Sequence, residues 1–417
     1  MTSDVVQPTA EAVATPPLRR DWMVLGWAIG EAVSNIGDQV WLVGLAYTAV
    51  RLGSPAFGGT VLACAALPRA ALMLFGGAVT DRFDARRLML WSNLVRTLIL
   101  IGGIAIATAY GVGGALLIGV GLLFGVADAF YSPASRALPR QLVAKKDLGR
   151  LASTRQLFVR AALFLGAPLG GLLTTQFGLR GAMLVDAISF LVIAAILTRV
   201  RPRWSWSRER GKSMLADIRG GLAYLGRARP VRSLVIALSG LNVFVTPVTV
   251  VGVALRSSQA GWGPTGLGVL TGAIGVGAGV GTVVSMFWRQ DRPVRTGLSL
   301  LLAQAVALGL IPLGSFTLAL GAMIVIGLTA GLASPMLAGA FQATVAAQYL
   351  GRVGALVSIT DSGLTPFTLA GFGLLATSFG VQGVSLAFAV VFLVLIGLVI
   401  ARPDTRAIRL DGTTEQR

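Results

Sequence analysis

The chain has 417 residues, 55% hydrophobic and only 12% charged, with a mean hydropathy of +0.78, far outside the range of a soluble globular domain. The absence of histidine and the presence of one cysteine, Cys64, exclude a His/Cys metal cluster, an internal disulfide and any His-dependent triad. A formal charge of +18 would suggest nucleic acid in a soluble protein, but its distribution along the chain assigns it to membrane topology instead.

Residues 1–21 read as a polar, Pro-containing tail ending in Arg19-Arg20, and no signal cleavage is expected because the apolar stretch that follows is too long for one. About twelve apolar stretches then have the length of roughly 20 residues needed to span a bilayer. They fall near 22–50, 57–79, 88–109, 113–135, 151–176, 180–198, 231–255, 264–288, 296–314, 317–340, 353–378 and 381–401. Odd-numbered connections carry few cations (Arg51, Arg180, Arg256). Even-numbered ones carry many: Arg82, Arg86 and Arg87; Arg140, Lys145, Lys146 and Arg150; Arg289, Arg292 and Arg295. The longest, 199–230, is the richest of all. The positive-inside rule then places the even connections and both termini, including the 402–417 tail, in the cytoplasm. Within that long connection Met214, Leu215, Ile218, Leu222 and Leu225 recur at helical spacing, which predicts an amphipathic helix at the cytoplasmic face or a solvated linker helix.

The second half repeats the first at a fixed offset of 202 residues. Gly171-Leu172-Leu173-x-Thr175-x-Phe177-Gly178 returns as Gly373-Leu374-Leu375-x-Thr377-x-Phe379-Gly380. The same offset carries Gly125, Ser132 and Pro133 onto Gly327, Ser334 and Pro335, and Leu148-Gly149-Arg150 onto Leu350-Gly351-Arg352. Such a unit is too long for a solenoid. It implies two six-span bundles, 22–198 and 231–401, around a central site, the architecture of an alternating-access transporter.

The second connection holds the most specific motif, Gly77-x-x-x-Asp81-Arg82-x-Asp84-x-Arg86-Arg87. It resembles the signature of the major facilitator superfamily, with Asp84 in place of the usual glycine, so that a left-handed turn is expected there. Leu67-Pro68-Arg69, the Pro133–Pro139 run, Asp217-x-x-Gly220-Gly221-x-x-Tyr224 and Gly166-Ala167-Pro168-Leu169-Gly170-Gly171 resemble the macrolide- and siderophore-exporter branch. The last run is similar to an antiporter motif with its proline one position late. The resemblance implies that Asp81 and its arginines latch one face of the transporter, where a carboxylate can meet cations and a helix N-terminus.

Ionisable residues inside spans are functional candidates by default, because they are costly in hydrocarbon. Glu31, Asn35 and Asp38 share one face of the first span, and Asp38 lies ~24 Å along it, near mid-membrane. Asp128, Asp186 and Asp361 are the other acids; Arg69, Arg96 and Arg160 are the bases. Without histidine, a proton relay must use carboxylates, since desolvation brings such groups toward physiological pH. The expected carriers are Glu31 and Asp38, then Asp128. Asp128 is positioned to pair with Arg96, and Arg160 with Asp361 or an anionic substrate group. Each also admits a purely structural role. Trp41, Phe130 and Phe244 are candidates for an apolar cavity wall, though lone aromatics more often face core or lipid.

The reading is an all-α membrane protein: a secondary transporter, not an enzyme, with no cofactor and no metal. It would export small amphipathic molecules (drugs, siderophores or related metabolites) by exchange for protons, as a monomer in the cytoplasmic membrane of a GC-rich bacterium. Its partners would be small-molecule substrate, protons and membrane lipid. A lysolipid flippase or small-metabolite importer on the same scaffold, and a non-transporting receptor or scaffold, are the alternatives. No phosphate-binding loop with its lysine is present to power an ATP-driven pump.

Overall fold

The computed structural model describes residues 18–80, 83–204, 214–288, 290 and 292–402. Both tails, Asp81 and Arg82 of the signature motif, and the middle of the long connection lie outside these described residues. Within them the fold is all-helical. In chain order the helices are α1 (Trp22–Leu52), α2 (Pro55–Thr80), α3 (Ala85–Tyr110), α4 (Gly114–Leu142), α5 (Leu148–Arg199) and α6 (Met214–Arg227). There follow α7 (Arg229–Gly240), α8 (Val253–Gln259), α9 (Gly263–Phe287), α10 (Pro293–Leu310), α11 (Phe316–Thr344) and α12 (Ala347–Ala401). Among the described residues nine helical segments are long and apolar enough to cross a membrane. Two of these, on α5 and α12, run to 55 and 54 residues, enough for two passages each. With α1, 31 residues long, the count comes to about twelve. Large apolar side chains such as Leu98, Phe379 and Leu398 stand exposed on the outer surface, as hydrocarbon solvent requires and water would not tolerate.

The repeat is visible in backbone geometry. α5 breaks at Gly178 (φ 63°, ψ −165°) and α12 at Gly380 (φ 74°, ψ 157°), the repeat partners that close the Gly-Leu-Leu motif. Only glycine occupies this region without strain, so each long helix folds back there as two arms. α4 and α11 carry the equivalent internal prolines Pro133 and Pro335.

The other residues of the motif clasp the two repeats together. A side-chain carbon on Gly171 would stand 2.9 Å from Thr265 Cα of α9, and one on Gly373 2.9 Å from Gly59 Cα of α2. Next to these approaches Thr175 Oγ1 and Thr265 Oγ1 are 2.8 Å apart, and the Ala56 amide donates to Thr377 Oγ1 at 3.0 Å. The α5–α9 contact continues to Phe164, which lies against Gly275. One further turn along, a side-chain carbon on Gly279 would meet nothing within 4 Å, so the packing of α5 on α9 is looser there.

At the opposite, arginine-rich end the repeats again correspond. Leu18, Val143 and Leu151 form one apolar cluster; Leu225, Val345 and Val353 form its counterpart. α6 docks on the start of α12: Tyr224 stacks on Tyr349 with centroids 4.4 Å apart, the Ala346 amide donates to the Tyr224 hydroxyl at 3.2 Å, and Gly220 and Gly221 make room for Arg352. The exporter-like linker motif is therefore a packing motif, and its helix is neither free in solvent nor independent of the bundle.

Candidate functional site

α1 carries the site because its inward face is polar at Glu31, Asn35 and Asp38. Glu31 is buried, and it accepts two hydrogen bonds from one guanidinium, with Arg155 Nε at 2.7 Å from Oε2. Arg155 also lies 5.2 Å over the Trp27 ring. This bidentate pair ties α1 to α5. Sequence reasoning missed Arg155, although it falls inside the expected fifth span near its start. Asn35 donates to the Glu31 carbonyl at 2.8 Å and so continues the helix rather than reaching across it.

Asp128 of α4 is held by two arginines, one on each oxygen. Arg96 of α3 donates to Oδ1, and Arg69 of α2 approaches Oδ2 at 3.4 Å. The pairing of Arg96 with Asp128 read from the sequence is present. Arg96 is 1% exposed and is wrapped by aromatic rings, with Tyr131 at 4.2 Å, Phe190 at 5.2 Å and Phe124 at 5.3 Å from its central carbon. Such faces hold a cation in an apolar setting. Two of its nitrogens, Nε and Nη1, are buried without a partner. Asp38 stands within electrostatic reach of Arg96, Asp128 and Arg69, and Asp186 within reach of Asp38 and Arg96.

Asp186 is the surprise of this cluster. It is fully buried and receives a hydrogen bond from Ser189 at 3.2 Å, while its Oδ2 has no partner. The second arm of α5 brings it against Gly37, next to Asp38. The fold-back at Gly178 places it in the core.

Arg160 and Asp361 do not meet. Asp361 of α12 faces Ser239 and Asn242, where the chain between α7 and α8 winds as two π-helical segments, Leu241–Val245 and Val248–Gly252. Such segments recur at functional sites. Buried atoms of both residues, Arg160 Nε and Asp361 Oδ1, lack partners. Arg160 lies one turn beyond Phe164 on the face of α5 that meets α9, where that packing loosens. Trp41 packs on Phe124, and Phe244 on Phe388 and Phe392, so both belong to the core.

The antiporter-like run serves two faces of α5. Gly166 and Gly170 lie against Ile36 and Val40 of α1, while Pro168 and Gly171 lie against Gly272 and Thr265 of α9. In the signature motif, Gly77 falls in the last turns of α2 and Arg87 is exposed. Arg86 donates to the carbonyls of Leu197 at 2.7 Å and Thr198 at 2.9 Å, a cation on the C-terminus of α5 where the helix dipole favours one. The left-handed turn expected at Asp84 is absent. Its φ is −59° and its side chain accepts from the Arg86 amide at 2.8 Å, capping α3, so the aspartate replaces a glycine by doing a different job.

A bundle of about twelve membrane passages built from two repeats, with charged residues gathered between its helices, defines a multi-pass membrane transporter. The sequence profile of the Major Facilitator Superfamily matches residues 27–368, and the chain belongs to that family. It is 24% identical over 394 residues to the uncharacterized MFS-type transporter YfiS of Bacillus subtilis (strain 168), covering 88% of this chain and 90% of that one. It is 24% identical over 270 residues to the putative bacilysin exporter BacE of Bacillus subtilis, covering 62% and 65%. The match to the uncharacterized MFS-type transporter YkuC is 22% identical and spans 53% of that protein, about half its length. Among solved structures, a bacterial homologue of the iron transporter ferroportin in an inward-facing state shares the fold, with a TM-score of 0.69 and 18% identity over 93% of this chain and 100% of that one.

Proposed function

We propose that the chain is an alternating-access exporter of small amphipathic molecules that exchanges its substrate for protons. The single observation that carries this reading is the Asp38–Arg96–Asp128 cluster. Arg96 holds Asp128 with one nitrogen and keeps two others unpaired beside a second carboxylate, Asp38. A guanidinium shared by two carboxylates responds to a proton on either one: loading Asp38 leaves Arg96 to Asp128, and unloading it draws Arg96 toward α1. Asp186, buried behind Asp38, is a third carboxylate within electrostatic reach of Arg96. Because α1 is clamped to α5 by Glu31–Arg155, and α5 carries half of the clasp to α9, a change at Asp38 has a mechanical route to the contact between repeats.

Export rather than import is supported by the likeness to BacE, named as a putative exporter. The clasp at one end and the looser packing of α5 on α9 at the other support a state open toward the arginine-rich end, which the positive-inside rule makes the cytoplasm. Arg160 and the Ser239–Asn242–Asp361 group, one of them cationic and the other anionic, are the proposed polar contacts for substrate in that opening. Division into two moving bodies, 22–198 and 231–401 with 199–230 between them, completes the proposal. Proteoliposomes of known orientation, assayed for efflux of candidate amphiphiles with and without a protonophore, test it. Protonophore-insensitive movement or net uptake against the proton gradient contradicts it.

A further inference from the structure

We infer that the molecule carried between the repeats is a zwitterion, an amphiphile whose anionic group meets Arg160 of α5 and whose amine meets Asp361 of α12. The inference rests on the reading, proposed above, that these two places contact substrate, and it gives that substrate a chemical class. Among the described residues neither side chain takes part in an ion pair, and Arg160 Nε and Asp361 Oδ1 are buried with no hydrogen-bond partner. An unpaired charge inside a membrane span is costly. Two of opposite sign, one in each repeat, suit a molecule that supplies both counter-charges.

Arg160 faces unfilled space between the repeats. α5 and α9 run antiparallel in a register that sets Gly268 on Gly171, Gly272 on Pro168 and Gly275 on Phe164. The same register brings Gly279 opposite Arg160, and a side-chain carbon on Gly279 would meet nothing within 4 Å. Asp361 stands level with Arg160 in the other repeat. Arg160 comes eleven residues before the clasp glycine Gly171 and Asp361 twelve before Gly373, ~17 and ~18 Å along their helices. The offset of 202 carries Arg160 onto Ser362, the neighbour of Asp361.

The two places differ in kind. Arg160 offers only N–H donors, a match for an oxyanion. Around Asp361 the acceptors gather: its own Oδ1 and the Ser239 hydroxyl, which is also buried without a partner. The Ser362 carbonyl joins them, because Pro366 of the same helix has no N–H to donate to it. An ammonium with three donors fits that set. A simple cation would leave Arg160 unpaired, and a simple anion would leave Asp361 so.

The test uses the full chain purified in detergent, titrated calorimetrically at neutral pH with ω-aminooctanoic and ω-aminododecanoic acids, whose flexible chains adapt to the separation of the two charges. Each is compared with its methyl ester, which keeps only the cation, and with its N-acetyl derivative, which keeps only the anion. The wild type is expected to bind the zwitterions roughly tenfold or more tighter than either singly charged form. Arg160→Gln should bind a zwitterion and its methyl ester alike, and Asp361→Asn a zwitterion and its N-acetyl derivative alike. The wild-type comparison stands by itself if either variant does not fold. Wild type that binds no zwitterion, or binds a singly charged form as tightly, overturns the class. A zwitterion preference that both variants keep in full overturns these two residues as its contacts. Equilibrium binding requires neither proton exchange nor export, so loss of proton coupling in liposomes would sink the exporter reading and not this one.

Discussion

Gly178 and Gly380, 202 residues apart, fold α5 and α12 back on themselves with similar positive φ, 63° and 74°. Each follows a clasp built from the same letters, Gly171 and Thr175 in one repeat and Gly373 and Thr377 in the other. One short motif thus sets both where a long helix turns and how the two repeats touch. The turn also has a chemical consequence, since it returns Asp186 to the side of Asp38.

Alanine at either turn should be costly, because this backbone region is nearly closed to side chains. Gly178→Ala and Gly380→Ala are each expected to lower stability by about 1–3 kcal/mol, read as a lower melting temperature of the purified protein. Gly371→Ala, with nothing within 4 Å of the new carbon, serves as the control. Unchanged melting of both turn variants would mean that the break is not held by glycine.

The clasp is predicted to be needed for transport. In Gly373→Ala the new carbon would lie 2.6 Å from the Pro55 carbonyl oxygen, a backbone atom that cannot step aside. Transport should fall roughly tenfold, equivalent to about 1.4 kcal/mol in the rate-limiting barrier, with membrane insertion intact. Wild-type rates at matched protein level would reduce the contact to incidental packing.

Glu31 and Arg155 should behave as one unit. Glu31→Gln and Arg155→Gln are each expected to cost about 1–3 kcal/mol, by leaving a buried partner incompletely paired. The double variant should cost less than the sum of the two. Additive losses in a thermal-stability cycle would show that the pair is not coupled.

Topology has its own check. With Cys64 replaced by alanine, Gly113→Cys and Gly226→Cys should label from opposite sides of sealed cells, the first from outside, because cations cluster around Gly226 and not Gly113. Labelling of both from outside contradicts the cytoplasmic placement of the linker.

Much of the fold was legible because hydropathy, cation placement and the repeat are all local or periodic signals. The span limits near 22–50 and 381–401 lie close to α1 and the last arm of α12 for that reason. Legibility ended where a property depends on which helix faces which. Arg155 was invisible as a partner of Glu31 because nothing in one sequence reports a contact across 124 positions. Asp84 misled because glycine and aspartate end a loop by different physics, one by conformational freedom and the other by capping. The nearness of Asp186 to Asp38 was not legible because it depends on a fold-back that spacing alone does not orient.

If Asp38 carries the proton, pH-jump-driven transport in liposomes reconstituted with Asp38→Asn at wild-type protein density reads it directly. Asparagine keeps the shape and fixes the neutral state. Proton-driven transport is expected to collapse while substrate binding and passive exchange survive, since neither requires a change of charge. Full proton dependence in Asp38→Asn would mean that Asp38 is not the carrier and would move the coupling to Asp128.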